Sequence, residues 1–434
     1  MIVSVGRMMR KGGGGLIWPK GLKESIKAIY DPKKQGITNF DVIESYTEDF
    51  TTWRYLDSRG IATITGSTIH ITEAKSIQGI VEDNKEPYSD IKILVQGVTA
   101  DNPLNVRDIN GTKAVIDKDG VYEFKDNGLY FGFGFSKVGV VDVTITQLPT
   151  SILKDLSGNG NHAYLYGGKG KLNSGMGLYK VDFTSWRKSS VQTEVKPDVV
   201  KVTPNTSNYL FIQYANSVEI PSYKIKVIGL GDNVLKYQYA TENGRKEINI
   251  VEGENELPTS IKVSNDYQIG YRLTPGTSVF TITQIPDYPD QLCYDGKMYA
   301  VCYDFPILTD YTVMADRTWF DNEGNRVFIT KGNIWPNCAF NFEKVNASLS
   351  SETFSYSQST NIDDLIGKSG ITYQTKQSYN GKVIGVGTSS DGDILLIGGQ
   401  LKGEYVGCHG KIIIADRSFT EDEITWLKDN LFRK

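Results

Sequence analysis

The sequence is poor in the residues that metal sites and disulfide scaffolds require. Its 434 residues include three histidines and four cysteines, none of them at a metal-binding spacing. The histidines are His70, His162 and His409, and the cysteines are Cys293, Cys302, Cys338 and Cys408. We therefore expect no zinc site and four reduced, half-buried thiols. The alternative is a Cys293–Cys302 bridge, which requires both residues to lie on paired strands.

Long apolar runs and basic stripes are also missing. No stretch of about 18 apolar residues occurs, so we expect no transmembrane helix and no membrane partner. The net charge is -4 at pH 7, and nucleic acid is not an expected partner. Because no apolar core of a signal peptide follows the first residues, we expect synthesis in the cytoplasm without export by the general secretory route.

Residues 1–20 have the composition of an arm. Arg7, Arg10 and Lys11 form a small basic cluster, and four consecutive glycines at 12–15 make a flexible joint after it. Such a cluster is either a solvated tail or a docking peptide.

A module of the sequence occurs twice. Residues 49–54 read Asp-Phe-Thr-Thr-Trp-Arg, and residues 182–187 read Asp-Phe-Thr-Ser-Trp-Arg. Residues 143–149, Val-Thr-Ile-Thr-Gln-Leu-Pro, return at 280–286 as Phe-Thr-Ile-Thr-Gln-Ile-Pro. Self-similarity of this kind indicates two copies of one structural unit. The surroundings are not repeated, so we assign 42–149 and 176–290 to two modules inserted into a third domain made of 21–41, 150–175 and 291–434.

Hydrophobic periodicity predicts strands in both modules. Residues 91–95 and 223–227 alternate between apolar and polar side chains, and short runs of this kind recur between turn residues. This pattern is typical of a small antiparallel β-sandwich. Helices are predicted only near the ends, over 22–30 from its apolar spacing, and after Thr420, which forms a capping box with Glu423.

The third domain resembles the concanavalin A-like, laminin-G-type jelly rolls. Residues 155–162, Asp-Leu-Ser-Gly-Asn-Gly-Asn-His, match the turn that follows the opening strand of that family. Residues 295–299 and 310–314 match two later strands, and 412–424 match the closing strand, arginine turn and helix. Met298 stands where the family carries an acid. The resemblance implies an all-β protein in which a jelly-roll sandwich is interrupted by two homologous β-sandwich modules.

The combination of motifs also resembles proteins encoded by phages and prophages of gut Bacteroides. The motifs are the opening at 30–36, Tyr-Asp-Pro-Lys-Lys-Gln-Gly, the two Asp-Phe-Thr-x-Trp modules and the Ser-Gly-Asn-Gly-Asn turn. The resemblance implies a virion component, a fibre, decoration or appendage, made in the host cytoplasm. Its expected partners are other virion proteins through the arm and Arg7, Arg10 and Lys11, and host-surface glycans. By analogy, such appendages are symmetric oligomers, often trimers.

No catalytic set of residues stands out. Jelly-roll glycosidases use two carboxylates on one strand, commonly Glu-x-Asp-x-x-Glu, and this motif is absent. Asp391 and Asp393 flank a glycine that marks a turn. We therefore expect no enzyme. A bacterial surface carbohydrate-binding protein, or a polysaccharide-degrading enzyme with an unrecognised carboxylate pair, remain the alternatives.

Aromatic side chains are the remaining candidates for ligand binding. Trp53 and Trp186 recur at equivalent places, which favours a core role over a platform for stacking sugars. Trp335 and Asn337 fall in a predicted loop and are the exposed carbohydrate-binding candidates.

One loop carries oxygen ligands of the kind that calcium prefers. Asp155, Asn159 and Asn161 could supply such ligands, but turn geometry alone explains these residues. No cofactor is expected, and calcium is the alternative.

Overall fold

A computed structural model describes most of the chain. The described residues are 16–37, 46–55, 60–75, 81–83, 90–125, 131–168, 172–188, 192–204, 209–321, 323–324, 326–332, 338–344, 351–354, 358–383, 392–399 and 403–433. Almost all of their regular structure is antiparallel β-sheet, so the prediction of an all-β sandwich protein with short helices near both ends is confirmed. Within these ranges, every helix is too short to cross a bilayer.

The first strand corrects one sequence prediction. The N-terminal elements are α1 (Leu22–Ser25), β1 (Ile26–Tyr30) and α2 (Pro32–Gln35). The apolar spacing predicts a helix over 22–30, and this prediction is wrong after the first turn. Ile26, Ala28 and Tyr30 are buried in alternation, and the strand pairs antiparallel with Val406–Ala415 near the C-terminus. A partner that is distant in sequence therefore decides this conformation.

Module 1, residues 46–149, is a sandwich of two five-stranded sheets. Its strands are β2 (Arg54–Tyr55), β3 (Gly60–Ile64), β4 (Thr68–Ala74), β5 (Val81–Asp83), β6 (Ile91–Gln96), β7 (Leu104–Asp108), β8 (Gly111–Ile116), β9 (Gly120–Phe124), β10 (Phe131–Phe135) and β11 (Gly139–Gln147). The sheet orders are β2-β5-β10-β7-β8 and β3-β4-β11-β6-β9. Alternate side chains of both sheets, such as Ile93, Ile145 and Phe133, fill one apolar core.

Three short strands follow module 1. They are β12 (Ile152–Leu153), β13 (Ala163–Tyr166) and β14 (Gly175–Leu178). β12 pairs with β13 across the loop that carries the Ser-Gly-Asn-Gly-Asn sequence.

Module 2, residues 180–286, repeats the architecture of module 1. Its strands are β15 (Arg187–Lys188), β16 (Gln192–Val195), β17 (Val199–Thr203), β18 (Tyr209–Tyr214), β19 (Tyr223–Ile228), β20 (Val234–Thr241), β21 (Gly244–Ile250), β22 (Gly253–Leu257), β23 (Gln268–Thr274) and β24 (Phe280–Ile285). The sheet orders, β15-β18-β23-β20-β21 and β16-β17-β24-β19-β22, match those of module 1 strand for strand. The repeated sequence thus corresponds to a repeated topology.

The remaining elements complete the chain. They are β25 (Asp287–Asp295), β26 (Tyr299–Cys302), β27 (Thr312–Trp319), β28 (Arg326–Gly332), β29 (Cys338–Lys344), β30 (Ser351–Phe354), β31 (Gln358–Asn361), β32 (Gly370–Thr375), β33 (Ser378–Tyr379), β34 (Lys382–Val383), β35 (Leu395–Ile397), β36 (Val406–Ala415) and α3 (Glu421–Leu427). The predicted capping box of α3 is present, because Thr420 Oγ1 accepts a bond from Glu423 N and Glu423 Oε2 accepts one from Thr420 N. A π-helical turn, Lys428–Phe432, follows α3.

Two sheets form what we call the framework sandwich, made of β1, β12, β13 and β26–β36. The strand order of one sheet is β12-β13-β26-β35-β28-β29-β30-β31. In the other sheet the order is β36-β27-β32-β33-β34, and β1 also pairs with β36. Aromatic rings meet between them. The ring centroid of Phe328 on β28 lies 5.0 Å from that of Tyr405 and 5.9 Å from that of His409 on β36. On the outer side of β36, Ile413, Met314 and Leu427 pack β27 and α3 together.

The described residues fall into two compact units. The first contains those within 1–35, 43–167 and 296–434, so module 1 and the framework sandwich share one unit. The second contains those within 36–42 and 168–295, so it consists of module 2 together with the paired strands β14 and β25.

Candidate functional site

The repeated Asp-Phe-Thr-x-Trp sequence is a capped turn. Asp49 Oδ1 accepts bonds from Thr51 N (3.0 Å) and Thr51 Oγ1 (2.6 Å), and these bonds hold a single 3-10 turn, Phe50–Thr52. They also lower the pKa of the Asp49 carboxyl. Asp182 makes the same two bonds with Thr184, at 2.9 and 2.5 Å. Both aspartates therefore have a local structural role in starting a module.

The turn delivers a tryptophan into each module core. Trp53 is 5% exposed, and its ring is stacked on Phe133 at 5.6 Å between centroids. Trp186 is 6% exposed and packs against Tyr271 at 6.0 Å. Both indoles are enclosed by their own modules, and this placement favours the core interpretation over a sugar-stacking platform.

The other predicted binding residues fall outside the described part of the chain. Trp335 and Asn337, the predicted exposed carbohydrate-binding pair, lie within 333–337, and Arg7, Arg10 and Lys11 lie within 1–15. Their roles stay predictions.

The loop after β12 holds β1 in place. The Asp155 carboxylate accepts four hydrogen bonds, from Ile29 N, Ser157 N, Ser157 Oγ and Asn161 N. Asn159 and Asn161 donate their amide hydrogens to the backbone carbonyls of Ile26 and Lys27. Gly158 and Gly160 have φ of 97° and 81°, which suits the predicted tight turn. The contacts of all three predicted calcium ligands are those of a turn that anchors a strand.

The described residues also include several of the ionisable groups that the sequence singled out. Among the described residues, no group of three or more His, Cys, Asp or Glu is placed to hold a metal ion. Asp393 lies in a bend, and Asp391 lies outside the described residues. Burial lowers the pKa of His409 to about 4, and burial raises the pKa of the Cys302 thiol to about 12. Cys293, Cys302 and Cys408 are buried and unbridged.

A buried glutamine closes each module, and sequence reasoning missed it. Gln284 Oε1 accepts bonds from Lys180 N (2.8 Å) and Val181 N (3.1 Å), and its Nε2 donates to Val181 O (2.8 Å). Gln147 makes the equivalent bonds in module 1, where its amide oxygen accepts from Glu48 N (3.0 Å) and its amide nitrogen donates to Glu48 O (2.6 Å). These bonds define the orientation of the amide. The glutamine of the closing Thr-Gln-x-Pro sequence thus ties the last strand to the first residues of its own module.

Module 1 packs on the framework sandwich through one sheet face. Leu94 of β6 and Val121 of β9 join a cluster with framework side chains that include Tyr164, Val301 and Leu396. Lys92 Nζ lies 5.2 Å from the centre of the Tyr164 ring. This face is therefore an internal interface and not a ligand-binding surface.

The structure also brings together a pocket that the sequence did not predict. It is a cavity of about 270 Å³ beside β1, in the compact unit that contains the framework sandwich. Its apolar walls are Leu16, Trp18, Ile26, Ile29, Leu156 and Leu431. Trp18 is held by Trp426 of α3, with ring centroids 5.1 Å apart. We call this cavity the anchor pocket.

Charged groups line the same pocket. Lys411 Nζ lies 3.1 Å from Asp31 Oδ2, with the two side chains 15% and 12% exposed. The ammonium of Lys411 also donates to Leu431 O, and Asp31 Oδ1 accepts from Lys34 N at 3.0 Å. Lys23 and Lys34 complete the lining and are exposed. Three lysines and one aspartate give this site an excess of positive charge.

Comparison with known proteins gives no family. No protein-family model and no curated protein matches the chain. Among solved structures it is similar to Trypanosoma rangeli sialidase in complex with sialic acid, at 9% identity, a TM-score of 0.26, and coverage of 89% of this chain and 86% of that chain. The same sialidase with the inhibitor DANA gives 10% identity, a TM-score of 0.25, and coverage of 88% and 85%. Similarities this weak indicate neither a shared fold nor a shared activity.

Proposed function

We propose that the protein is a non-enzymatic structural component of a bacteriophage virion, a fibre, decoration or appendage, that displays modules 1 and 2. The observation that carries the proposal is the architecture. Two sandwiches of the same strand order occur in sequence between strands of one framework sandwich, and each is closed by its own buried glutamine. Duplicated modules of this kind suit a protein that displays several domains from one framework.

The chemistry of the described residues agrees with a display role. The two recurring tryptophans are used inside the modules, the two recurring aspartates cap turns, and the Asp155 carboxylate anchors β1. The placement in a virion rests on the resemblance of the combined motifs to Bacteroides phage and prophage proteins. Attachment is assigned to the arm with Arg7, Arg10 and Lys11, and adhesion to host-surface glycans to the displayed domains.

The test compares the full chain with a variant that lacks residues 1–15. Light scattering gives the mass of each purified protein, and quantitative mass spectrometry of purified phage particles gives its copy number. We expect a closed oligomer, such as a trimer, for the full chain, and a folded variant that no longer joins particles. A monomeric full chain contradicts the fibre assignment, particles without the protein contradict the virion assignment, and particles that carry the variant contradict the role of the arm.

Glycan adhesion is tested separately from assembly. The full chain and Trp335→Ala are applied to an array of capsular and surface polysaccharides. Binding that the substitution abolishes supports adhesion through Trp335. Equal binding by both proteins removes this residue from the proposal, and no binding by either removes adhesion.

A further inference from the structure

The anchor pocket is close in volume to the smallest pockets that hold small molecules, and one large apolar side chain also fits it. Pockets for drug-sized ligands usually have volumes of about 300–1,000 Å³. The anchor pocket, at about 270 Å³, is slightly smaller than these. Interfaces between proteins concentrate their binding energy in a few apolar anchors that fill pockets of this kind. The apolar walls of Ile26, Ile29 and Leu156 therefore suit one large apolar side chain of a partner.

The positive charge of the pocket favours negatively charged residues next to that apolar side chain in the partner. Lys23, Lys34 and Lys411 outnumber Asp31, whereas the chain as a whole has a net charge of -4. Both oxygens of Asp31 already accept bonds, one from Lys34 N and one from the ammonium of Lys411. Complementary charge on a partner would come from carboxylates.

Lys411 is the least exposed lysine of this group, with its side chain 15% exposed. Its ammonium has three N–H donors, and two of them are engaged by Asp31 and by Leu431 O. The centre of the Phe432 ring lies 5.8 Å from the same ammonium. A carboxylate at the mouth of the pocket would accept a bond from the third N–H in a site of low exposure, where a charge-assisted hydrogen bond is strong.

We propose that the anchor pocket binds a peptide segment of a partner protein in which one large apolar side chain is flanked by carboxylates. The arm of the same chain has the wrong charge for this site, because Arg7, Arg10 and Lys11 would meet Lys23 and Lys34. The inference goes beyond the proposed function, since it names the chemistry of a partner and stands whether or not the protein belongs to a virion.

The test uses the full chain labelled with 5-fluorotryptophan and the peptide acetyl-Asp-Glu-Phe-Asp-Glu-amide. Fluorine NMR follows Trp18, which lines the pocket, and Trp186, which is enclosed in module 2 and serves as the reference. We expect a saturable shift of Trp18 with a Kd of about 1 mM. The matched peptide acetyl-Asn-Gln-Phe-Asn-Gln-amide is expected to bind about tenfold more weakly, because it lacks the carboxylates.

Two double charge-reversal variants test whether the exposed lysines that line the pocket contribute to binding. Lys23→Glu/Lys34→Glu changes two exposed lining residues and is expected to weaken the acidic peptide about tenfold. Lys20→Glu/Lys33→Glu makes the same change of net charge at exposed positions outside the lining, and binding is expected to stay within about twofold. Leu156→Asp places a carboxylate among the walls and is expected to abolish binding, with an unchanged resonance of Trp319, which is buried on β27 of the framework sandwich, as the control for folding.

Several outcomes would overturn the proposal. Equal binding of the acidic and amide peptides, or equal loss in both double variants, removes the charge argument on which it depends. Binding that appears only after residues 1–15 are deleted identifies the arm as the occupant. A shift with 1-anilinonaphthalene-8-sulfonate but with neither peptide identifies the pocket as a small-anion site and not a peptide-docking site.

Discussion

Modules 1 and 2 have the same strand order, yet equivalent positions on their outer faces carry different chemistry. Leu94 on β6 and Val121 on β9 are part of the cluster that packs module 1 on the framework sandwich. The equivalent residues of module 2, on β19 and β22, are Lys226 and Glu254, and both are exposed. The same strand order therefore accepts either apolar or charged residues on this outer face. In module 1 the apolar residues attach the module to the framework sandwich, and in module 2 the equivalent charged residues are exposed to solvent.

The two cores also differ, although both contain the same tryptophan. In module 1 the centre of the core includes Ile91 and Phe133. In module 2 the equivalent positions are Tyr223 and Tyr271, whose hydroxyls are hydrogen-bonded at 2.9 Å in a buried pair. Module 2 thus keeps a polar bond where module 1 relies on apolar contact alone. The capped turn, the tryptophan and the closing glutamine are common to both, so these features belong to the module itself.

The largest expected effect tests whether the tryptophans are equivalent. Trp53→Ala and Trp186→Ala should each lower the free energy of opening of their own module by about 3–5 kcal/mol, because each removes a large buried side chain. Hydrogen exchange of the central strands β11 and β24, read by mass spectrometry, reports the two modules separately. A loss below about 1 kcal/mol in either module would contradict the core role of that tryptophan.

The second prediction exchanges the outer faces. Leu94→Lys should destabilise module 1 by about 2–3 kcal/mol, because it puts a charge into the cluster with Tyr164 and Val301. Lys226→Leu, the reverse change on module 2, should alter stability by less than about 0.5 kcal/mol, because its side chain is exposed. Hydrogen exchange of β6 and β19 measures both. Equal effects would mean that the outer faces play the same role in the two modules.

The third prediction concerns the closing glutamines. Gln147→Leu and Gln284→Leu should each cost about 2 kcal/mol, because backbone groups at the start of each module would stay buried without their partners. The exposed Gln96 on β6 provides the control, and Gln96→Leu should cost less than about 0.5 kcal/mol. Exchange rates near 46–49 and 180–183 give the readout. A large loss in one module alone would show that the two clamps are not equivalent.

The smallest expected effect concerns the tyrosine pair of module 2. Tyr271→Phe should cost about 1 kcal/mol at neutral pH, because it removes one buried hydrogen bond and leaves the ring in place. In module 1 the equivalent residue is already Phe133, so the substitution makes the two cores more alike.

Alkaline pH sharpens this last comparison. Burial raises the pKa of Tyr223 and of Tyr271 well above the usual value, so both stay protonated in the folded module. Unfolded tyrosine ionises near pH 10, so the stability from these groups is complete below about pH 10 and is lost as the pH rises above it. Fluorine NMR of Trp186 should show this loss, and Tyr223→Phe/Tyr271→Phe should reduce its pH dependence. An unchanged slope would remove these tyrosines as its cause.

Local signals in the sequence predicted several elements correctly. The alternation in β6 and β19 depends on neighbouring residues only, and so does the capping box of Thr420 with Glu423. Residues 26–30 show the limit of such signals. Their apolar spacing also fits a helix, and only pairing with β36 makes them a strand. A short apolar segment does not reveal its partner, because hydrogen bonds between strands join residues that are far apart in sequence.

The sequence by itself determined the all-β architecture and the chemistry of the turns, because both depend on residues a few positions apart, and it determined the duplication, because two segments of the chain can be compared directly. Only the tertiary structure decided which residues meet. It joined Gln147 to Glu48 across about 100 residues and brought Leu94 into one cluster with Tyr164. It also assembled the anchor pocket from three distant segments of the chain. Burial and charge pairing are properties of residues brought together by folding, and for this reason no local pattern could have revealed them.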